Sequence, residues 1–168
     1  MPSMYDSTVL PLKRSLANLA HILKKGEGYA DAKNIEHSVL LNARLFPDMY
    51  PLIRQVQIAT DMSKGGVARL AGVEIPKYED DELSFAELQV RIAKTLTFIE
   101  TVKPEQLIHA ETRDISITAR KIDLHFKGQD YLLKWVMPNV YFHVTTTYNI
   151  LRHNGVELGK PDFLRIND

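Results

Sequence analysis

Apolar residues recur along this chain at two different spacings, and the spacing predicts where helices give way to strands. Val9, Leu12, Leu16, Leu19 and Leu23 fall three and four residues apart, which stacks them on one face of a helix over about residues 4–25. Arg14, Asn18, His21 and Lys25 take the other face. Ser3 with Asp6 caps its start, Pro11 kinks its second turn, and Lys24-Lys25-Gly26 is read as its stop. A short apolar piece, Ile35 to Phe46, is too rich in Leu for a free loop and is read as a short extra helix packed across a bundle end. Asp48 as N-cap, with Pro51 in the first turn, then predicts a second long helix over about 49–71, ended by Gly72. Within it Gly65-Gly66 implies close approach of another helix, since a helical Gly otherwise costs about 1 kcal/mol relative to Ala.

Val73 to Leu83, with Pro76 and four acids between Glu79 and Glu82, reads as an exposed loop. Ser84 and Glu87 form a capping box directly ahead of Leu88, Ile92, Leu96 and Ile99, a third helix. The period then switches to two: Ile115 to Thr118 and Ile122 to Phe126 alternate apolar and polar, as in a small β-hairpin. Leu133, Val136, Val140, Val144, Thr147 and Leu151 restore helical spacing in a fourth helix, kinked at Pro138, that stops at Asn154-Gly155. Gly159 to Leu164 is read as an extended tail that docks Phe163. The pattern predicts an all-α protein, a four-helix bundle with a short extra helix between helices one and two and a small β-hairpin before helix four, as a single domain over residues 1–168.

Composition narrows the function. The chain has 168 residues, 45% hydrophobic, with 21 Lys+Arg against 21 Asp+Glu, so it lacks the concentrated positive charge that nucleic acid or acidic membrane requires. Cys is absent, which removes disulfides, thiolate metal sites and a cysteine nucleophile, and is compatible with the cytoplasm. Met1 to Asp6 offers no basic region followed by an apolar stretch, as a secretory signal would. Trp135 to Leu151 is uncharged over a membrane-spanning length, but its Pro, His, Asn and Thr mark it as a buried helix of a soluble fold.

The six histidines, His21, His37, His109, His125, His143 and His153, lack the three- or four-residue spacing of a helical metal site, and no phosphate loop or nucleophile elbow occurs. His143 shares the stripe of Val136, Val140 and Thr147 and so points toward the bundle axis, with Thr147 one turn on as its expected hydrogen-bond partner. It reads either as a satisfied core histidine or as a pocket or general-base histidine. Gln57, Thr60, Asp61 and Lys64 on helix two read either as a solvated face with an Asp61–Lys64 ion pair or as a face turned to helix four, where Asp61 orients His143. Tyr131, Trp135, Tyr141, Phe142 and Tyr148 surround helix four as core and subunit interface.

Ser38 to Leu52 (SVLLNARLFPDMYPL), Arg54 to Lys64 (RQVQIATDMSK), Ala68 to Gly72 (ARLAG) and Leu151 to Leu164 (LRHNGVELGKPDFL) resemble the DinB/YfiT-like superfamily of metalloenzymes, and within it an uncharacterised family of domains of unknown function. The resemblance implies an up-and-down bundle with an unusual crossing order, homodimers, and a metal held by one His from helix two and a His-x-x-x-His pair from helix four. His143 matches the first of that pair, Thr147 stands in place of the second, and helix two has no His. Hydroxyl groups replace imidazole poorly on zinc or nickel, so no metal and no other cofactor is expected. The expected function is a dimeric bundle with a degenerate metal site that binds a small ligand between helices two and four, at His143, Thr147, Asp61 and Gln57. The alternative is an enzyme of the thiol-cofactor transferase or hydrolase type, either metal-dependent through His143, Asp61 and a histidine such as His37, or metal-free with His143 as base.

Overall fold

The computed structural model describes residues 3–119 and 121–165. Ser3 and Asp6 form a full capping box, with Asp6 N–H donating to Ser3 Oγ at 3.0 Å and Ser3 N–H to the Asp6 carboxylate at 3.2 Å, and open α1 (Met4–Lys33). This helix runs well past the predicted stop. Gly26 is no terminator: a Cβ there would stand 2.9 Å from Leu151 Cδ2, so the glycine serves close packing, and Asn34 in the left-handed conformation ends the helix. After α2 (His37–Leu41), which buries Leu40 and Leu41 but leaves Leu45 and Phe46 beyond it exposed, α3 spans Leu52–Ala71. Asp48 does not cap it; Pro51 is the N-cap and the Leu52 N–H is tied to Ala43 C=O at 2.9 Å. Gly72 ends α3 at φ 71°, as its sequence position implies.

Ser84 Oγ accepts the Glu87 N–H at 3.2 Å at the start of α4 (Phe85–Thr101). Short 3-10 turns at Pro104–Leu107 and Ala110–Thr112 lead into β1 (Asp114–Ala119) and β2 (Ile122–Lys127), an antiparallel pair with Ile115 opposite Phe126. The last long helix comes in three pieces: α5 (Gly128–Tyr131), a π-helical stretch Leu132–Val136, and α6 (Met137–His153). The wide turn falls immediately before Pro138, whose missing N–H cannot bond the Lys134 carbonyl, so the irregularity expected at Pro138 takes the form of a π stretch.

α1 packs on α4 and α6, and α3 packs on the same two helices, with the α3–α6 seam the most extensive. Consecutive long helices α1 and α3 therefore stand across the bundle from each other, the crossed order that the resemblance implies. One continuous core runs through it, including Val9, Leu12, Leu16, Leu19, Ile22, Val56, Phe85, Leu88, Val140 and Leu151. Gly66 lets α3 approach the π stretch just before α6 closely, because a Cβ would stand 2.6 Å from Val136 Cγ1.

The polar face of α1 is not a free solvated surface, and the C-terminal segment is helical rather than extended. α7 (Lys160–Leu164) lies on that face: Asp162 accepts from His21 at 3.0 Å and Lys25 at 2.9 Å, Asn18 donates to Phe163 C=O at 2.7 Å, and Arg14 to Leu164 C=O at 2.9 Å. Burial alone would raise the Asp162 pKa, but His21, the Gly159 N–H and Lys25 outweigh it and hold the carboxyl at about 2. Phe163 docks as expected, edge-on to Tyr148 at 6.4 Å.

Candidate functional site

The inward stripe of α6 places His143 8% exposed between Val140 and Val144. Its ring partner is not Thr147, whose hydroxyl donates instead to the His143 main-chain carbonyl at 2.9 Å, one turn back. The partner comes from α3: His143 Nδ1 lies 2.6 Å from Gln55 Oε1. Gln55, 1% exposed, is itself pinned, because its Nε2 donates to the Tyr50 carbonyl at 2.9 Å just before the helix begins. The amide can satisfy both contacts in one orientation only. Its oxygen then accepts, so Nδ1 carries the imidazole proton and Nε2 carries none. Burial first, and the nearby Arg54 charge second, push the His143 pKa down from 6.5 to about 4, so the ring is neutral at physiological pH.

Nε2 finds no hydrogen-bond partner among the described residues, yet it is not a sealed orphan; the one buried side-chain polar atom without a partner among them is Thr8 Oγ1. His143 lines a cavity of about 690 Å³ whose walls include Ile58 and Met62 from α3, Trp135 and Phe142 from the last long helix, and Leu124 from the hairpin. That volume lies in the range of small-molecule sites, which pair apolar walls with a few placed polar groups. Asn139 is another such group: its Nδ2 donates to Trp135 C=O at 2.7 Å, and its Oδ1 has no hydrogen-bond partner among the described residues. The π stretch before Pro138 carries Trp135, which packs on Phe126 of β2 at 6.1 Å. A larger cavity, about 770 Å³, lies between α1, α6 and α7, and of its two buried polar residues, Ser15 and Asn18, the second donates to Phe163 C=O.

Gln57 and Asp61 do not approach His143. They turn to α4, where Arg91, 0% exposed, is the center of a second polar cluster. Arg91 Nε donates to Thr60 Oγ1 at 2.7 Å, Nη1 to the Glu79 carbonyl at 2.9 Å and to Glu82 Oε1 at 3.0 Å, and Nη2 to Asp61 at 2.8 Å and Asp80 at 3.0 Å. Gln57 Nε2 donates to Glu82 Oε2 at 2.9 Å, Arg54 pairs with Asp80, and Lys64 joins Asp61 at 3.0 Å while lying 3.7 Å over the Tyr78 ring. The segment read as an exposed acidic loop is thus folded onto α3 and α4, with Glu82 6% exposed. The Glu82 hydrogen bond and the Asp61, Glu82 and Asp80 charges more than offset burial and hold the Arg91 guanidinium charged, its pKa above the ordinary value. Every donor of that guanidinium is spent on protein, which marks a structural cluster rather than a binding surface.

His37 is likewise occupied elsewhere, 2.7 Å from Asp31 and edge-on to Phe85. The side chains around His143 therefore do not fit a metal: Gln55 presents an amide oxygen already accepting from Nδ1, the Thr147 hydroxyl is turned to the backbone, and no group of three His, Cys, Asp or Glu among the described residues could hold an ion.

The fold and the site define a DinB-like four-helix bundle. A family model described as a domain of unknown function (DUF1993) matches residues 4–164, and the chain belongs to that family. It is similar to a DinB family member protein from Shewanella denitrificans, 45% identical, whose crystal structure superposes with a TM-score of 0.90 over 96% of this chain and 91% of that one. No curated protein matches. No helix among the described residues is long and apolar enough to cross a membrane.

Proposed function

We propose that this protein is a homodimeric binding domain that uses the α3–α6 seam, the place of the superfamily's metal, to hold a small organic molecule beside His143. The observation that carries this reading is the asymmetry of the His143 ring: Gln55 fixes Nδ1 as the protonated nitrogen, and Nε2 is left as an open acceptor on a cavity of about 690 Å³. Buried polar atoms are in the large majority hydrogen-bonded, so an imidazole held by the protein at one nitrogen and open at the other is suited to take a ligand's donor. Binding is favored over general-base catalysis, because a base with a pKa of about 4 is far from the neutral range where proton abstraction is efficient. The degenerate metal site predicts that elemental analysis of untagged protein finds no near-stoichiometric nickel, zinc or iron; one tightly held ion per chain overturns that part of the reading.

Trp135 supplies the direct test of the pocket, being the only tryptophan of the chain and part of the cavity wall. Titration with ethylbenzene, a probe that fills apolar space alone, is expected to shift its fluorescence saturably. The dimer is supported by Leu133, Tyr141 and Phe142, which are 56%, 43% and 55% exposed on the last long helix. Light scattering across a dilution series is expected to give twice the chain mass, and a monomer throughout contradicts it.

A further inference from the structure

We infer that the His143 cavity selects uncharged hydrophobic molecules bearing one hydroxyl, of the phenol or alkanol type, over carboxylates, phosphates and ammonium ions of the same size. The inference rests on the pocket reading above and adds the chemical class of the occupant. Two polar side chains that line the cavity keep an acceptor with no protein partner among the described residues. His143 Nε2 is an acceptor because Gln55 holds the proton on Nδ1, and the Asn139 amide, one N–H of which goes to Trp135 C=O, keeps its Oδ1 as a second acceptor. An occupant must bring a donor to them, or it leaves a largely buried acceptor without the water it had.

Charge decides the rest. Among the described residues the lining includes no Lys or Arg, and its one acidic side chain is the exposed Asp48. A carboxylate or phosphate occupant would give up its hydration with no cation among the described lining residues to replace it, and it has no proton to give to His143 Nε2. An ammonium would likewise give up its hydration against largely apolar walls, and the one acidic residue of the described lining, Asp48, is exposed and keeps its own water. A hydroxyl meets both demands. Its proton goes to Nε2, and its lone pairs can accept from the uncharged donors of the same wall, the Trp135 indole N–H and the Tyr50 hydroxyl.

The test is a ladder of probes with one common body on the wild-type protein, read by Trp135 fluorescence and calorimetry: ethylbenzene, 4-ethylphenol, 4-ethylbenzoate and 4-ethylbenzylammonium. The phenol is expected to bind about tenfold tighter than ethylbenzene, the worth of one good neutral hydrogen bond, and the two ions more weakly than the phenol. In His143→Leu the phenol is expected to fall to the affinity of ethylbenzene, which itself is retained; if that variant does not fold, the wild-type ladder decides alone. Benzoate or benzylammonium binding as tightly as the phenol, or a phenol no tighter than ethylbenzene, overturns the inference and leaves the pocket standing. Failure of every probe to shift Trp135 at millimolar concentration overturns the pocket and the inference together.

Discussion

The two faces of α3 carry polar clusters built on opposite terms. Toward α4, a fully buried Arg91 is met by Thr60, Asp61, Asp80, Glu82 and a main-chain carbonyl, and nothing is left over. Toward α6, Gln55 and His143 satisfy each other on one side only, and Nε2 is left open beside a cavity. The first cluster ties a loop to the bundle; the second has the form of a site. The difference teaches that burial of polar residues does not by itself point to function. What points to it is a buried group whose orientation is fixed by the protein and whose remaining capacity is not used by the protein.

The comparison breaks most visibly at Arg91. Arg91→Ala leaves the Asp61, Asp80 and Glu82 carboxylates facing one another and is expected to cost about 3–5 kcal/mol, measured as a shift in the urea midpoint. A loss below about 1 kcal/mol would make that cluster a solvated surface network and remove the contrast. His143 gives a smaller and pH-dependent effect. In the unfolded chain it takes up a proton near 6.5, and in the folded one only near 4, so the unfolded state binds more protons between these values. Its contribution is complete above 6.5 and is lost as the pH falls toward 4, on the order of 3 kcal/mol. Comparing urea midpoints of wild type and His143→Leu across that window is expected to show the steeper fall in wild type, and parallel curves would contradict it. The smallest effect sharpens the seam itself. Gly66→Ala sets a methyl 2.6 Å from Val136 Cγ1 and is expected to destabilize by about 1–2 kcal/mol despite its better helix propensity. Gly28→Ala, with nothing within 4 Å, is expected to stabilize by up to ~1 kcal/mol.

The long helices were legible because their apolar spacing is local and strong, and the hairpin because its period changes to two. Boundaries failed where one residue type serves two purposes. Gly26 has the composition of a stop, yet it is there for Leu151, a contact between residues far apart in the chain. His143 could be read as inward-facing from Val136 and Val140 alone, but its partner could not: Gln55 is 88 residues away, and no spacing rule connects them. Arg91 was missed because arginine in a helix normally lies outside, and its partners sit in an acidic run that has the composition of an exposed loop. Gln57 and Asp61 could be read either as a solvated face or as a face turned to helix four, and they turn to α4 instead, since the bundle order that sends them there is not written in α3 itself. The polar stripe of α1 showed no sign of α7, whose attachment depends on four side chains reaching a segment more than a hundred residues on.

The central claim, an imidazole locked on one side and open on the other, is tested most directly by nitrogen-15 NMR of the His143 ring. The account predicts a single neutral tautomer at pH 7, with the proton on Nδ1 and Nε2 unprotonated, that does not titrate until the pH approaches about 4. A proton on Nε2, or a titration near the ordinary 6.5, would contradict it.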